Sequence, residues 1–488
     1  MSGDGHRADT PTSSALHRWG RRLLVLGIVV VLLGGLGIGT ALTAPSLART
    51  VGLPVWLTGG PAADPPEPVT PRLALAAAPT DTPVPTSAGL ASALDARAAA
   101  LGDLTGAVVD PADGRRLWER RPSEPQVPAS VTKVLTSSAA LLRLDPTLRW
   151  TTRVVAGPTP DSVVLVGGGD PTLSSLPAGQ QSVYPDAARL DDLVAAVSAA
   201  RAGQPPVRQV YVDVSRYENG GGNGQAAGWD PVDIAGGNFA PIVPVMLDGG
   251  RVDPTAVDGT RIASPASAAA TELGARLTRG GTAPTVAIGT APPNAPVLGE
   301  VVSPPVTELV RTALQNSDNV LAEALGREVA RSVGEPTTFD GAARAVTRVL
   351  DEARIDTTGV VLADTSGLSV NDRIPAGVLA SVLAPAAAPT GADPRTPLLR
   401  PLLDGLPVAG GGGTLAERYT PGTATSDGRG WVRAKTGTLT AANALAGVVS
   451  TEDGRTLVFA FMSNGADPGT ARPGLDGLAA ALHDCGCR

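Results

Sequence analysis

Only two lysines occur in this chain, and each sits in a context that suggests chemistry. Lys133 lies in VPASVTKVL and Lys435 in GRGWVRAKTGTLTAANALAG, whereas Arg supplies 37 of the 39 basic residues. A guanidinium stays charged in a protein, but an ammonium loses its proton when it is desolvated or set beside another cation. A position that needs a proton acceptor can therefore use Lys and cannot use Arg. The competing explanation is codon bias that spared two lysines by accident. The commoner bases are missing from the body of the chain. His6, His17 and His483 stand near the two ends, and Cys485 and Cys487 form a terminal CGC. A Ser-His-Asp triad, a Cys-His pair and a zinc site of several His ligands are thereby excluded from the body. Ser or Thr activated by Lys, or a pair of carboxylates, remains for covalent or acid-base work.

Three short motifs supply such groups. In Ser130-Val131-Thr132-Lys133, positions i and i+3 share one helix face, so the amine reaches the hydroxyl. Ser130 then falls in the first turn, where free N–H groups and the helix field favour developing negative charge. Taken alone this spacing is a weak signal, since Ser130 could simply cap a helix beside a solvated lysine. In Ser317-Asp318-Asn319 a hydroxyl and an amide two residues apart can project together from a turn, one relaying a proton and the other binding an amide. The same three residues also make a good helix cap. Lys435-Thr436-Gly437-Thr438 reads as strand, with Lys435 and Gly437 on one face and both threonines on the other. Gly437 leaves room for another backbone to lie against it.

Several elements must position these motifs. ASALDARAAA predicts a first helix. TGAVVDPADGRRLWERRP predicts a hairpin around Asp113-Gly114. VPASVTKVLTSSAALLRL has helical periodicity from about Pro128. From 149 to 300 the texture becomes short apolar strands (TTRVVAG, DSVVLVGGGD, VRQVYVDVS, TVAIGT) with one helical piece, LDDLVAAVSAARAG, and is read as an inserted β-rich module. The Gly167-Gly168-Gly169 run lacks a following Lys-Ser or Lys-Thr and opens no helix, so it reads as a tight turn rather than a phosphate loop. Helices return with SPPVTELVRTALQNSDNVLAEALGREVARSV and FDGAARAVTRVLDEARI. Strands around Val432, in NALAGVVST and in RTLVFAFMSNG follow, the last two pairing across Asp453-Gly454, and GLDGLAAALHD closes the chain as a helix. Strands at both ends of one body, with helices between, suggest a single antiparallel sheet of sequence-distant segments covered by helices.

At 488 residues the chain is long enough for two to four domains. A net charge of -7 and the absence of a basic run argue against nucleic acid as a partner. Residues 1–22 form a polar tail, and 23–44 is an uncharged apolar stretch long enough to cross a bilayer. Arg18, Arg21 and Arg22 before it, against Arg49 alone after it, orient the tail inward and the rest outward. The sequence after the stretch, ALTAP, makes a poor cleavage site, which favours a retained anchor over a cleaved signal. The body then faces the extracytoplasmic side, or is secreted if cleavage occurs. Residues 45–86, rich in Pro, Ala and Thr, read as a semi-extended spacer. Cys485 and Cys487 can close a small disulfide in such a compartment.

Taken in order, Ser-x-x-Lys, Ser-x-Asn and Lys-Thr-Gly resemble the three motifs of the serine penicillin-recognising enzymes, and here they use both lysines of the chain. Within that group the chain is similar to class C low-molecular-mass penicillin-binding proteins, which are D-alanyl-D-alanine carboxypeptidases and endopeptidases. Further similarities are GGGDPTL at 167–173, Gly228-Trp229, SDNVLAE at 317–323, DTSGLS at 364–369 with Asn371, and LPVAGGGGTLAER at 406–418. The gap between Ser130 and Ser317 is too long for a compact β-lactamase. The resemblance implies an α+β, penicillin-binding transpeptidase-like fold: a five-stranded antiparallel sheet flanked by helices, formed by 87–148 and 301–488, with the β-rich insertion at 149–300. It further implies that Ser130 is the nucleophile and Lys133 its base, that Ser317 relays a proton, and that Asn319 holds the substrate amide. Lys435, Thr436 and Thr438 would bind the terminal carboxylate beside Gly437, and the N–H groups of Ser130 and Thr438 would form the oxyanion hole. Peptidoglycan stem peptides are the implied substrates and β-lactams covalent inhibitors, with no cofactor or metal. One departure is Gly412, where members often carry Asp; it bears on the rigidity of that loop. Cross-link cleavage and β-lactamase action are the nearest rivals. A non-catalytic wall-binding protein is a further one, though it would be expected to have lost a motif.

Overall fold

The computed structural model describes residues 82–218, 224–279 and 281–485. The tail, the apolar stretch at 23–44, nearly all of the spacer and Cys487 lie outside the described residues. Among the described residues no helix is long and apolar enough to cross a membrane.

In chain order, helix α1 (Ser87–Ala99) leads into the hairpin β1 (Asp103–Val109) and β2 (Arg116–Arg120). The short β3 (Pro125–Gln126) and a 3₁₀ turn at Ala129–Val131 precede α2 (Thr132–Arg143). The next segment contributes β4 (Thr151–Ala156), β5 (Ser162–Val166), α3 (Leu190–Ala200), β6 (Gln209–Asp213), α4 (Val232–Ala235), α5 (Pro265–Thr278), β7 (Thr285–Ile288) and β8 (Val297–Val302). Helices α6 (Val306–Gln315), α7 (Asn319–Val333) and α8 (Phe339–Glu352) follow, then β9 (Ile374–Pro375), α9 (Ala376–Ala387) and α10 (Thr396–Gly405). The chain ends in β10 (Val432–Leu439), β11 (Ala442–Ser450), β12 (Thr456–Asn464) and α11 (Pro468–His483).

The main sheet is five-stranded and antiparallel throughout, in the order β10-β11-β12-β1-β2. It is covered on both faces, and the strand pleat sorts its residues into two cores. Ala444, Ala446, Val458, Ala460 and Met462 join the core of the large helical layer that includes α2 and α6 to α10. Leu445, Val449, Leu457, Phe459 and Phe461 alternate with them and meet α1 and α11 on the other side. The small residues on the helical face of β11 lie against the 3₁₀ turn at Ala129–Val131 that leads into α2. That helix is buried along most of its length, and its polar groups bond inward, Thr136 Oγ1 donating to Thr365 O at 2.6 Å.

The second sheet, order β7-β6-β5-β4-β8, takes every strand from 151 to 302. It is mixed: β4 pairs antiparallel with β5 and β8, while β5-β6 and β6-β7 are parallel. Parallel neighbours need a long crossover, and here α3 and α5 provide it, burying Leu193, Val197, Ala269 and Leu273 against the strands. The segment thus carries two helices more than the sequence reading expects, the four-residue α4 and the longer α5. The signals of α5 were present, Ser264 ahead of Pro265 at the first helical position, but its short Ala-rich face has little periodicity. Helices α9 and α10 were likewise not anticipated; Pro385 and Pro401 lie inside them and disguise their pattern. The glycine run opens no helix: it leaves the end of β5 for a bend at Gly169, whose φ is +96°, and a Cβ on Gly168 would clash with Thr151 O.

Candidate active site

The 3₁₀ turn before α2 presents Ser130, and one turn later Lys133 projects on the same side. Lys133 is fully buried, and its Nζ lies 3.1 Å from Ser130 Oγ, 2.7 Å from Ser366 O and 2.5 Å from Asn319 Oδ1. Ser130 therefore stands in the turn ahead of the α-helix rather than inside its first turn. The backbone there is held by contact: a Cβ on Gly367 would come within 2.0 Å of Ala129 O.

Between α6 and α7 the chain breaks at Ser317, whose φ is +55°. The helix-cap reading of this motif holds, and its hydroxyl and amide face one cleft. Asp318 caps α7, its carboxylate accepting from Leu321 N at 3.0 Å, and Ser317 and Asn319 project to either side into the same cleft. Lys435 arrives from β10. It is fully buried, and its Nζ is 2.9 Å from Ser317 Oγ and 2.8 Å from Thr436 O. The pleat alternation is obeyed. Lys435 pairs with Ala446 on the helical face, whereas Thr436 pairs with Leu445 on the face of α11. Because β10 is an edge strand of the sheet, bonded on its outer side only by residues 407–409 at its start, both sets of side chains around 435–438 border one cleft. Gly437 serves close approach, since a Cβ there would stand 2.6 Å from Pro128 O and 3.2 Å from Ser130 N.

The cleft encloses about 1200 Å³ and is lined by Ser130, Ser317, Asn319, Thr436 and Thr438. All eight residues singled out from sequence thus converge, seven through their side chains and Gly437 through its bare backbone. Several lining or supporting groups were not singled out. Thr414 Oγ1 lies 2.7 Å from Thr436 Oγ1, and Arg472 Nε donates to Thr438 Oγ1 at 3.2 Å. Arg418 also lines the cleft, held by Asp476 through two bonds of 2.9 and 2.6 Å. Thr414 and Arg418 lie in the LPVAGGGGTLAER stretch, so a signal existed without a role attached. Arg472 precedes the apolar pattern of the closing helix and had none. Gly412 is extended (φ -169°), and its N–H and C=O each bond Val408 at 3.1 Å, so backbone pairing holds that loop.

Electrostatics favour a basic amine in this pocket. Burial pushes the Lys133 ammonium down to about 8, against the carboxylates of Asp364, Asp318, Glu323 and Asp372, which hold it up. Burial, with the charges of Lys133 and Arg418 added, pushes Lys435 well below the usual lysine range. Two ammonium groups in one dry pocket disfavour each other, so a neutral amine is accessible near physiological pH. The Asp364 carboxylate accepts from Ser366 N at 2.9 Å, Gly367 N at 2.6 Å and Ser369 N at 2.7 Å, folding the loop that aims Ser366 O at Lys133. Among the described residues no group of His, Cys, Asp and Glu has the arrangement to hold a metal ion.

Comparison with known proteins shows the family of the chain. Residues 87–261 and 259–483 match the model of the D-Ala-D-Ala carboxypeptidase 3 (S13) family. A carboxypeptidase of Mycobacterium tuberculosis is 45% identical over 429 residues, spanning 87% of this chain and 90% of the relative. Carboxypeptidase DacB of Mycolicibacterium smegmatis is 46% identical over 421 residues, spanning 83% and 86%. In fold, the chain is similar to penicillin binding protein 4 of Haemophilus influenzae, with a TM-score of 0.63 at 18% identity over 82% of this chain and 98% of that one. The chain belongs to the D-Ala-D-Ala carboxypeptidase 3 (S13) family and is a serine-type DD-carboxypeptidase.

Proposed function

We propose that the enzyme removes the terminal D-alanine of peptidoglycan stem peptides through an ester on Ser130. The observation that carries this reading is the buried Lys133 amine 3.1 Å from Ser130 Oγ, with its proton affinity lowered toward neutrality. Neutral Lys133 takes the hydroxyl proton as Oγ adds to the carbonyl carbon between the two D-alanines. The resulting oxyanion lies between the backbone N–H groups of Ser130 and Thr438, a reading supported by the close approach of the Gly437 backbone to Ser130. The C–N bond then breaks. The leaving amine receives the proton that Lys133 took, relayed through Ser317 Oγ, which Lys435 contacts at 2.9 Å, and Lys133 is neutral again. Water attacks the ester, Lys133 again takes a proton, and Ser130 Oγ regains one. Asn319 orients the substrate amide. Thr436, Thr438 and Lys435 hold the terminal carboxylate at the end of the cleft where Arg418 and Arg472 add positive charge.

Cross-link cleavage at the same serine is the second reading. It is favoured by the cleft volume of about 1200 Å³, above the ~300–1000 Å³ usual for small-molecule sites. Digestion of purified muropeptides followed by mass analysis separates loss of one alanine from cross-link cleavage. The wall substrate and the apolar stretch at 23–44 together support a body held on the outer face of the membrane. The primary test is labelling by a fluorescent penicillin. Ser130→Ala is expected to give no adduct and Lys133→Arg a severe loss; labelling of Ser130→Ala at near wild-type rate rejects the assignment.

A further inference from the structure

The segment between the first and second motifs touches the second motif and the residue just before it at three places. Val183 O accepts from Asn316 Nδ2 at 3.3 Å, and Asn238 O accepts from Asn319 Nδ2 at 2.9 Å. Between them, Asp318 Oδ2 accepts from Arg251 Nη2 at 2.9 Å and from Tyr184 OH at 2.7 Å. Arg251 Nη1 donates in turn to Tyr184 OH at 2.6 Å, and Arg251 Nε to Ala256 O at 3.0 Å. The Arg251 and Asp318 side chains are 1% and 0% exposed, so this triad is fully withdrawn from water.

We propose that this segment acts as a splint for the second motif, with Arg251 and Tyr184 as positioning residues that hold Asp318 and thereby aim Ser317 and Asn319 at the two lysines. Three features make the splint necessary. Ser317 adopts a φ of +55°, which a non-glycine residue keeps only when its surroundings enforce it. Asp318 uses its other oxygen to cap α7, so its orientation fixes where that helix starts. Neither flanking helix supplies a partner for its Oδ2. The triad also has an electrostatic side. Burial alone would push the Asp318 carboxyl up, but the charges of Arg251 and Arg261 overcome it and hold it well below the usual carboxylate range. Lys133 is faced by Asp318 at the cap of α7 and Glu323 within it, by Asp364 and Asp372 of the loop after α8, and by Lys435 of β10. Arg251 therefore offsets one of the four carboxylates that keep the Lys133 proton on.

The inference rests on Ser130 acylation as proposed above, so Ser130→Ala accompanies the test as its control. Acylation by the fluorescent penicillin is followed from pH 6 to 9 on the full chain, alongside melting temperature. Tyr184→Phe, which keeps the ring, is expected to lower the acylation rate constant about tenfold by removing one bond to a charged group. Arg251→Met leaves Asp318 opposed by Arg261 alone and moves the acid limb of the profile upward by about one unit. Arg251→Lys brings the limb back without restoring the full rate. The double variant Arg251→Met/Asp318→Asn removes both charges while keeping a capping side chain, and moves the limb below wild type. If Arg251→Met fails to fold, Tyr184→Phe and the double variant still decide. Wild-type rates with an unshifted limb in these two, or losses that follow only the folded fraction, overturn the splint. Adduct formation by Ser130→Ala instead overturns the functional reading beneath it.

Discussion

The two lysines show how a residue's chemistry depends on where the fold puts it. A lysine in water holds its proton until about pH 10.4, whereas burial brings Lys133 down to about 8. The neutral form is the base, so acylation should rise as pH increases through about 8 and fall about tenfold for each unit below it. A penicillin-acylation rate measured from pH 6 to 9 that stays flat would contradict this role. Lys133→Arg keeps the charge and offers no base at any accessible pH, so its loss, about a thousandfold, should not recover at high pH. His483, a base by type, takes no part. Its Nδ1 meets Ser450 O at 2.6 Å and its ring stacks on Trp431.

At the level of elements, the site is a meeting of one turn, one helix break and one edge strand. Strand β10 contributes by lying close to the serine turn, which only a residue without a side chain permits at Gly437. Gly437→Ala inserts a carbon 2.6 Å from Pro128 O and must push the two apart. The expected cost is about 1–3 kcal/mol of stability. The larger effect is on chemistry, since misplacement by about 1 Å costs on the order of a hundredfold in rate. Comparing the melting temperature with the acylation rate checks both numbers. A variant that melts lower yet acylates normally would show that β10 does not position Ser130. The helix break at 317 was legible because Ser, Asp and Asn are capping residues, and so was the strand alternation of 435–438. Helices α9 and α10 were not, because their prolines read as stops until neighbouring layers are seen to bury Leu379, Leu383, Leu399 and Leu402.

Across the whole molecule, closure of the main sheet joins the two ends of the folded chain. Asp110, after β1, pairs with Arg455, before β12, through Arg455 Nε at 2.9 Å and through Nη2. The carboxylate is 1% and the guanidinium side chain 12% exposed, so removing the carboxylate deprives a mostly withdrawn guanidinium of its ion-pair partner. Asp110→Ala should cost about 3–5 kcal/mol, read as a lower denaturant midpoint. The pair joins the hairpin ends rather than lining the cleft, so the protein that remains folded should still acylate at the wild-type rate. A loss of acylation beyond the loss of folded protein would show that sheet closure also tunes the site.

The sequence by itself determined which groups were able to react. Two amines and no internal imidazole leave Ser130 with Lys133 as the workable pair, and helix periodicity places them one turn apart because that relation is local. It also determined that residues 435–438 alternate across a strand. Only the tertiary structure decided that Asn319, 186 positions from Lys133, and Ser317, 118 from Lys435, would touch those amines. Those contacts follow from sheet register and the stacking of layers, which no short window of sequence contains. It likewise decided the charge state of both lysines, the arrival of Arg472 at Thr438 and the bracing of Asp318 by Arg251. Burial and the sum of surrounding charges are properties of the folded whole.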